Sequence, residues 1–235
     1  MTVLLGIAAR MRLARLLLIT DLRTGQGDLP EFVAATLAAG VDIVQLRDPR
    51  ADDQQLADAF ARVREVVQQR KALLGLFDAV GVAEQAQADL LQLSERGPAA
   101  TEARRSVHTW AMLGRSCHSG RQVDAALRDP QVNYLTVGPV VGGRFGSSGL
   151  DLVRYAARQA PPSEPASDPW FAIGGITADN LDDVLDAGAR RVAVSRAITD
   201  APDPAEAAAA LKQRLTRAWQ DDPDMAQVVF GAHQP

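Results

Sequence analysis

Short apolar runs that end on polar or small residues recur along the chain, and each is followed by a segment with helical spacing. The first, Leu16-Leu17-Leu18-Ile19, ends on Thr20-Asp21. Residues 29–40 then read as a helix, with Pro30 in its first turn and Gly40 at its end. Residues 41–47 form a second strand pattern, and 52–70 carry Leu56, Ala59, Phe60, Val63, Val66 and Val67 at helical intervals. Residues 73–77 give a third strand that delivers Asp78, with a short helix of small residues over 80–88. A fourth strand at 89–93 precedes a helix at 99–108, and a fifth at 112–116 runs into Cys117-His118-Ser119 and a helix over 120–128. The sixth, at 133–139, opens onto a glycine-rich stretch at 142–149. After a connection at 160–168, the seventh runs from Trp170 to Ile176 through Gly174-Gly175, and a helix follows over 177–187. The eighth lies at 191–198, and a helix over 203–219 closes the series.

Eight strand and helix alternations with short apolar strands predict a parallel sheet covered by helices, and eight is the number that closes it. The expected fold is therefore α/β, a single (β/α)8 TIM barrel spanning 12–219. Residues 1–11 are expected to be a leader, or a short helix covering one end, and 220–235 a flexible tail. An open doubly wound sheet would call for Gly-x-Gly-x-x-Gly after the first strand, and residues 21–27 have the wrong glycine spacing for it.

Composition narrows the picture. Aromatic residues are only 5% of the chain, so Ala, Leu and Val must fill the core. A formal charge of -4 gives no reason to expect nucleic acid or an acidic membrane as partner, while a local basic site for a phosphorylated small molecule remains compatible with it. A single cysteine, Cys117, forms no internal disulfide, which fits a reducing cytoplasm. The apolar opening at 2–9 is too short to span a bilayer. A homodimer is allowed by this reading.

In such a barrel the chemistry belongs at the C-terminal strand ends. The candidates there are Thr20, Asp21, Gln45, Arg47, Asp78, Gln92, Ser116, His118, Gly138, the 142–149 loop, Gly174, Gly175, Ser195 and Arg196. Asp21 and Asp78 read either as catalytic groups or as caps of the following helices. Gln45 and Arg47 share a strand face and so suit one anion, the alternative being a salt bridge from Arg47 to Asp21 or Asp78. His118 is the histidine at a strand end and the proton-transfer candidate, or else a structural residue. Cys117 reads as a packing residue. Gly174-Gly175 and the end of the eighth strand suit a shared phosphate.

Across nearly all of 12–215 the chain resembles thiamine phosphate synthase and its relative, the thiazole tautomerase. The residues that carry the likeness are 18–21, 44–48, 114–118, 137–139, 169–176 and 186–189. The resemblance implies an eight-stranded barrel and a transferase that joins thiazole phosphate to hydroxymethylpyrimidine pyrophosphate, with Mg²⁺ escorting the pyrophosphate. It places Gln45 and Arg47 on the pyrophosphate. Gly174, Gly175, Ser195 and Arg196 fall on the thiazole phosphate, Asp78 on the metal, Ser116 and His118 on the family's Ser-x-His, and Gly138 on the substrate-lined strand end.

The chain departs from the family pattern at four places. Pro49 stands for a lysine, Phe77 for an asparagine, and 94–97 for Gly-Gln-x-Asp with its second metal-binding aspartate. The loop 142–148 replaces a Thr- and Lys-containing one, leaving Arg144 as its cation. These departures leave two alternatives beside the synthase: a metal-independent tautomerase using His118, which needs no cofactor, and a non-catalytic phosphate-binding barrel.

Overall fold

The computed structural model describes residues 6–141 and 149–231. The eight strands are β1 (Leu16–Thr20), β2 (Ile43–Leu46), β3 (Leu73–Phe77), β4 (Leu90–Leu93), β5 (Met112–Cys117), β6 (Tyr134–Val137), β7 (Trp170–Ile173) and β8 (Val192–Val194). All pair in parallel with their sequence neighbours, and β8 returns to β1 with Leu16 opposite Val192. The sheet is thus a closed barrel. The helices outside it are α1 (Ile7–Leu13), α2 (Leu29–Ala38), α3 (Asp53–Gln69), α4 (Val80–Gln85), α5 (Ala100–Ser106), α6 (Gly120–Leu127), α7 (Gly149–Gln159), α8 (Leu181–Asp186), α9 (Arg196–Thr199), α10 (Pro204–Gln220) and α11 (Ala226–Gly231).

Because side chains alternate along a strand, each apolar run feeds two cores at once. One face, with Leu16, Leu18, Val44, Leu46, Leu91 and Leu113, packs under the helices. The other, with Leu17, Ile19, Ile43, Leu73, Leu90, Tyr134 and Phe171, fills the barrel. This is why the strands read as unbroken apolar runs rather than as alternating ones. Space inside is rationed between strands: a Cβ on Gly114 would lie 2.3 Å from Tyr134 Cζ, so glycine there makes room for the buried tyrosine ring. Tyr134 in turn meets Phe171 edge-on, with ring centroids 6.3 Å apart.

The N-terminal end of the barrel is closed by α1, whose Met11 is fully buried against the interior cluster. Arg191 ties that helix down through a 2.8 Å bond to the Arg12 carbonyl. Its guanidinium, beside the Trp219 ring, is pushed down to about 9 by burial. Part of the segment expected to be a tail, up to Gly231, carries secondary structure. Beyond α10 a 3₁₀ turn (Pro223–Met225) leads into α11, and Met225 and Val228 bury themselves with Trp219. Two short elements fall below the length at which periodicity can be read, so the pattern there is carried by three apolar residues.

Two boundaries near the barrel mouth also differ from expectation. The helix after β7 starts only at Leu181, because the intervening turn is pinned: Asn180 accepts from Thr177 N at 2.9 Å and donates to the Gly175 carbonyl at 2.8 Å. The eighth strand stops at Val194, and Arg196 belongs to the four-residue helix α9.

Candidate active site at the barrel mouth

A cavity of about 800 Å³ opens at the C-terminal end of β1, β2, β7 and β8. Its walls include Thr20, Asp21, Arg47, Gly174, Gly175, Ser195 and Arg196, so seven of the expected residues meet in one place. That volume lies within the range of small-molecule sites, roughly 300–1,000 Å³.

The β7 and β8 ends build one corner. Gly174 and Gly175 have φ of 98° and 70°, backbone states that side chains rarely adopt. They also lie under the β6 loop: Val140 N donates to Ile173 O and Val141 N to Gly174 O, both at 2.9 Å. A Cβ on Gly175 would come within 2.4 Å of the Val141 carbonyl oxygen. Gly138 is needed for the same packing, its Cβ position falling 1.9 Å from Ile173 O. So these glycines are set first by close backbone approach, and the same bare backbone lines the cavity beside Ser195 and the start of α9.

Arg47 follows the end of β2 and holds its guanidinium 4.1 Å above the Phe77 ring. Phe77, which replaces a hydrogen-bonding residue of the family, thus serves as a platform that braces the cation. Neither expected ion pair of Arg47 is present among the described residues; Asp21 instead pairs with Arg50 at 3.4 Å, so Arg50 reaches back to the mouth. Asp21 caps no helix, its other oxygen accepting from Arg23 N at 3.1 Å. Gln45 shares Arg47's strand face but lies lower, 2% exposed inside the barrel, with Nε2 lacking an acceptor among the described residues. The structure therefore brings Arg47 to the cavity and leaves Gln45 beneath it.

The opposite side of the mouth is tied to itself. Asp78 spends Oδ1 on Ser94 N at 2.8 Å, joining the ends of β3 and β4 rather than capping α4. Gln92 donates to Ser116 Oγ and Thr136 Oγ1 at 3.0 and 3.1 Å inside the barrel. Ser116 borders a smaller hollow of about 170 Å³ with Glu95, Arg115 and Gln122. Beside that hollow, His118 Nδ1–H donates to the Gly138 carbonyl at 2.5 Å, which turns Nε2 toward Glu95 Oε2 at 3.8 Å. Gln122 closes the ring, accepting from His118 N at 2.6 Å and donating to Glu95 at 3.0 Å. His118 and Ser116 thus stand apart from the large cavity. Cys117 is fully buried and burial pushes its thiol up to about 12, which makes it a packing residue. Arg144 lies outside the described residues.

The donor set does not fit a preformed Mg²⁺ site. Mg²⁺ takes carboxylate and water oxygens in near-octahedral geometry. Asp78 offers one oxygen already engaged, Glu95 faces His118 and Gln122, and no group of three metal-binding side chains occurs among the described residues.

Strand ends alone did not point to Arg23, Gln26, Thr177, Thr199 and Asp200, which also line the cavity. All five lie beyond strand ends, four in turns and Thr199 at the end of α9, where sequence pattern carries no sign of direction. Gln122 was equally silent, whereas Glu95, which could replace the missing metal-binding aspartate only by a shift in backbone path, is bonded to Gln122.

Comparison with known proteins places these features in context. A family model described as thiamine monophosphate synthase matches residues 16–198. The thiamine-phosphate synthase of Acidothermus cellulolyticus is 47% identical over 213 residues, covering 87% of this chain and 96% of that protein. That of Thermobifida fusca is 45% identical over 214 residues, covering 89% and 95%. Among solved structures, thiamine phosphate pyrophosphorylase from Pyrococcus furiosus is similar with a TM-score of 0.77 at 25% identity, over 89% of this chain and 98% of the other.

Proposed function

The chain belongs to the thiamine monophosphate synthase family, and from that membership we propose that it joins thiazole phosphate to hydroxymethylpyrimidine pyrophosphate to give thiamine phosphate. The observation that carries this reading is the cavity that unites the β7–β8 corner with Arg47. In the reaction the bond to the departing pyrophosphate breaks and the thiazole takes its place. The corner formed by Gly174, Gly175, Ser195 and Arg196 supplies amides to the thiazole phosphate, where fixed dipoles need no reorganisation on binding. Arg47, braced on Phe77, faces the charge that builds on the pyrophosphate. Mg²⁺ is the metal the family reaction implies, and Asp78 is the carboxylate that would meet it, although its donors are not assembled around an ion site. Purified protein given Mg²⁺ and both substrates is expected to form thiamine phosphate, and absence of product would refute the proposal.

A second reading, a metal-independent thiazole tautomerase, is favoured by the bracing of His118. A ring with Nδ1–H fixed on a carbonyl and Nε2 turned toward a carboxylate is arranged to take up and return a proton. Tautomerase activity that survives His118→Ala would remove His118 from that role. Thiazole phosphate binding without turnover by either assay would leave a non-catalytic barrel.

A further inference from the structure

The turn after β1 holds a second cation at the mouth. Arg23 is only 9% exposed and lines the large cavity, yet it adopts φ 48°, a state that costs a side-chain-bearing residue about 1 kcal/mol and that glycine or asparagine takes more readily. Its guanidinium is fixed on three sides. Nε and Nη2 fork onto Asp28 at 2.6 and 2.9 Å, and the carbon lies 4.0 Å from the Phe32 ring centroid. Nη1 has no hydrogen-bond partner among the described residues. A strained, braced and nearly buried arginine with one donor edge unspent is a preorganised anion receptor.

The cavity has a place for such a receptor. The β7–β8 corner serves one phosphate through backbone amides, whereas the reaction brings a second anionic group. The ends of β3 and β4, where the resemblance puts the metal, are occupied by internal bonds of Asp78 and Glu95. Since β1 lies between β8 and β2 in the closed sheet, Arg23 and Arg47 flank the remaining open floor. Of the acids nearby, Asp28 pairs with the Nε–Nη2 edge of Arg23 and so offsets much of its charge, which leaves Nη1 as a directed donor; Asp21 is held by Arg50 and by Arg23 N, and Asp200 accepts from the Thr199 hydroxyl at 2.9 Å.

We propose that Arg23 binds the pyrophosphate end of the pyrimidine substrate, on the β1 side of the mouth and together with Arg47. This assignment rests on the synthase reading for the identity of the ligand. The test is calorimetry with two probes, inorganic pyrophosphate and thiazole phosphate, on the wild type, Arg23→Met and Arg23→Lys. Arg23→Met is expected to weaken pyrophosphate at least tenfold and leave thiazole phosphate within twofold, with Arg23→Lys between, because a lysine restores charge without the fork. Unchanged pyrophosphate affinity in Arg23→Met overturns the assignment, as does a wild type that binds no pyrophosphate at millimolar concentration. Equal weakening of both ligands also overturns it, because it marks a structural role for Arg23. Product formation by the wild type, measured in parallel, separates the two proposals: turnover with an Arg23-independent pyrophosphate site sinks this assignment alone, and selective loss in Arg23→Met without wild-type turnover sinks the synthase alone.

Discussion

If close backbone approach is what demands glycine at the β7 end, then Gly175→Ala and Gly27→Ala must differ, although the two glycines share nearly the same backbone. Gly27 has φ 69° and nothing within 4 Å of the point where a Cβ would stand, whereas Gly175 has φ 70° with the Val141 carbonyl oxygen at 2.4 Å and Val141 Cβ at 2.8 Å. The conformational cost is common to both, about 1 kcal/mol for placing an alanine in the left-handed region. Gly175→Ala adds an overpacking cost of about 1–3 kcal/mol, because the nearest opposing atom is a backbone oxygen and Val141 Cβ moves only with that backbone. For a chain of this size about 2–4 °C of Tm follows each kcal/mol, so Gly27→Ala should melt roughly 2–4 °C early and Gly175→Ala roughly 5–15 °C early. Relief in Gly175→Ala has to come from shifting either the β6 loop or the turn proposed to face the thiazole phosphate. Thiazole phosphate should then bind at least tenfold more weakly, while Gly27→Ala keeps wild-type affinity. Differential scanning calorimetry and a thiazole phosphate titration read both effects. Equal losses of stability in the two variants would refute the packing argument. A destabilised Gly175→Ala with full affinity would show that the turn is not the phosphate corner.

Two further outcomes follow from buried titratable groups. Burial raises the Asp89 carboxyl above its ordinary value of 3.8, against the opposing pull of the Leu74 N–H and of Arg10 and Arg64. A carboxyl that holds its proton more tightly when folded makes ionisation costly, and that cost is absent below the unfolded value and complete once the pH passes the folded one. Asp89→Asn keeps an acceptor for Leu74 N, bonded at 3.0 Å in the wild type, and should be at least as stable at pH 7, with its advantage vanishing near pH 4. Urea melts at the two pH values check this, and a loss above about 1 kcal/mol at pH 7 would contradict it. Cys117, fully buried with its thiol raised to about 12, should resist a thiol-exchange reagent at pH 8 until the protein is unfolded; stoichiometric labelling of the native protein within minutes would show that the pocket around it opens readily.

The barrel was legible because its signal is repetitive: eight strands of about the same length, each buried on both faces, cannot be hidden by an error at any one of them. The site was legible only to the depth of strand ends. Alternation puts Gln45 and Arg47 on one face, yet only two residues of strand rise separate a side chain sunk in the barrel from one at the mouth, and periodicity has no vertical coordinate. Phe77 read as a lost hydrogen bond, since a ring under a guanidinium is a relation between neighbouring strands that a single chain segment does not display. Arg23 was invisible for a different reason. Its position is set by a left-handed turn, and turns direct side chains through dihedral angles that the residue types around it, Thr24-Gly25-Gln26-Gly27, leave open.

Hydrogen-bond satisfaction explains why the two halves of the mouth differ in what they can do. Around β3 to β5 nearly every polar tip is already spent: Asp78 on Ser94, Arg115 on the carbonyls of Ser94 and Pro98, Glu95 on Gln122, and Gln92 on Ser116 and Thr136. To bind a charged ligand there, the protein would first have to break those bonds, and each partner left unsatisfied in a buried place costs about 1–3 kcal/mol. Around β7, β8, β1 and β2 the reverse holds, with Arg47 supported from below by a ring and Arg23 by a ring and a carboxylate, so their remaining donors meet a ligand without rearrangement. The polar groups of the first half hold its loops together, and those of the second keep donors that suit an anion. A change that frees Asp78, such as Ser94→Pro, which removes the N–H it holds, would therefore be expected to loosen the β3–β4 side and leave pyrophosphate binding at Arg23 and Arg47 in place.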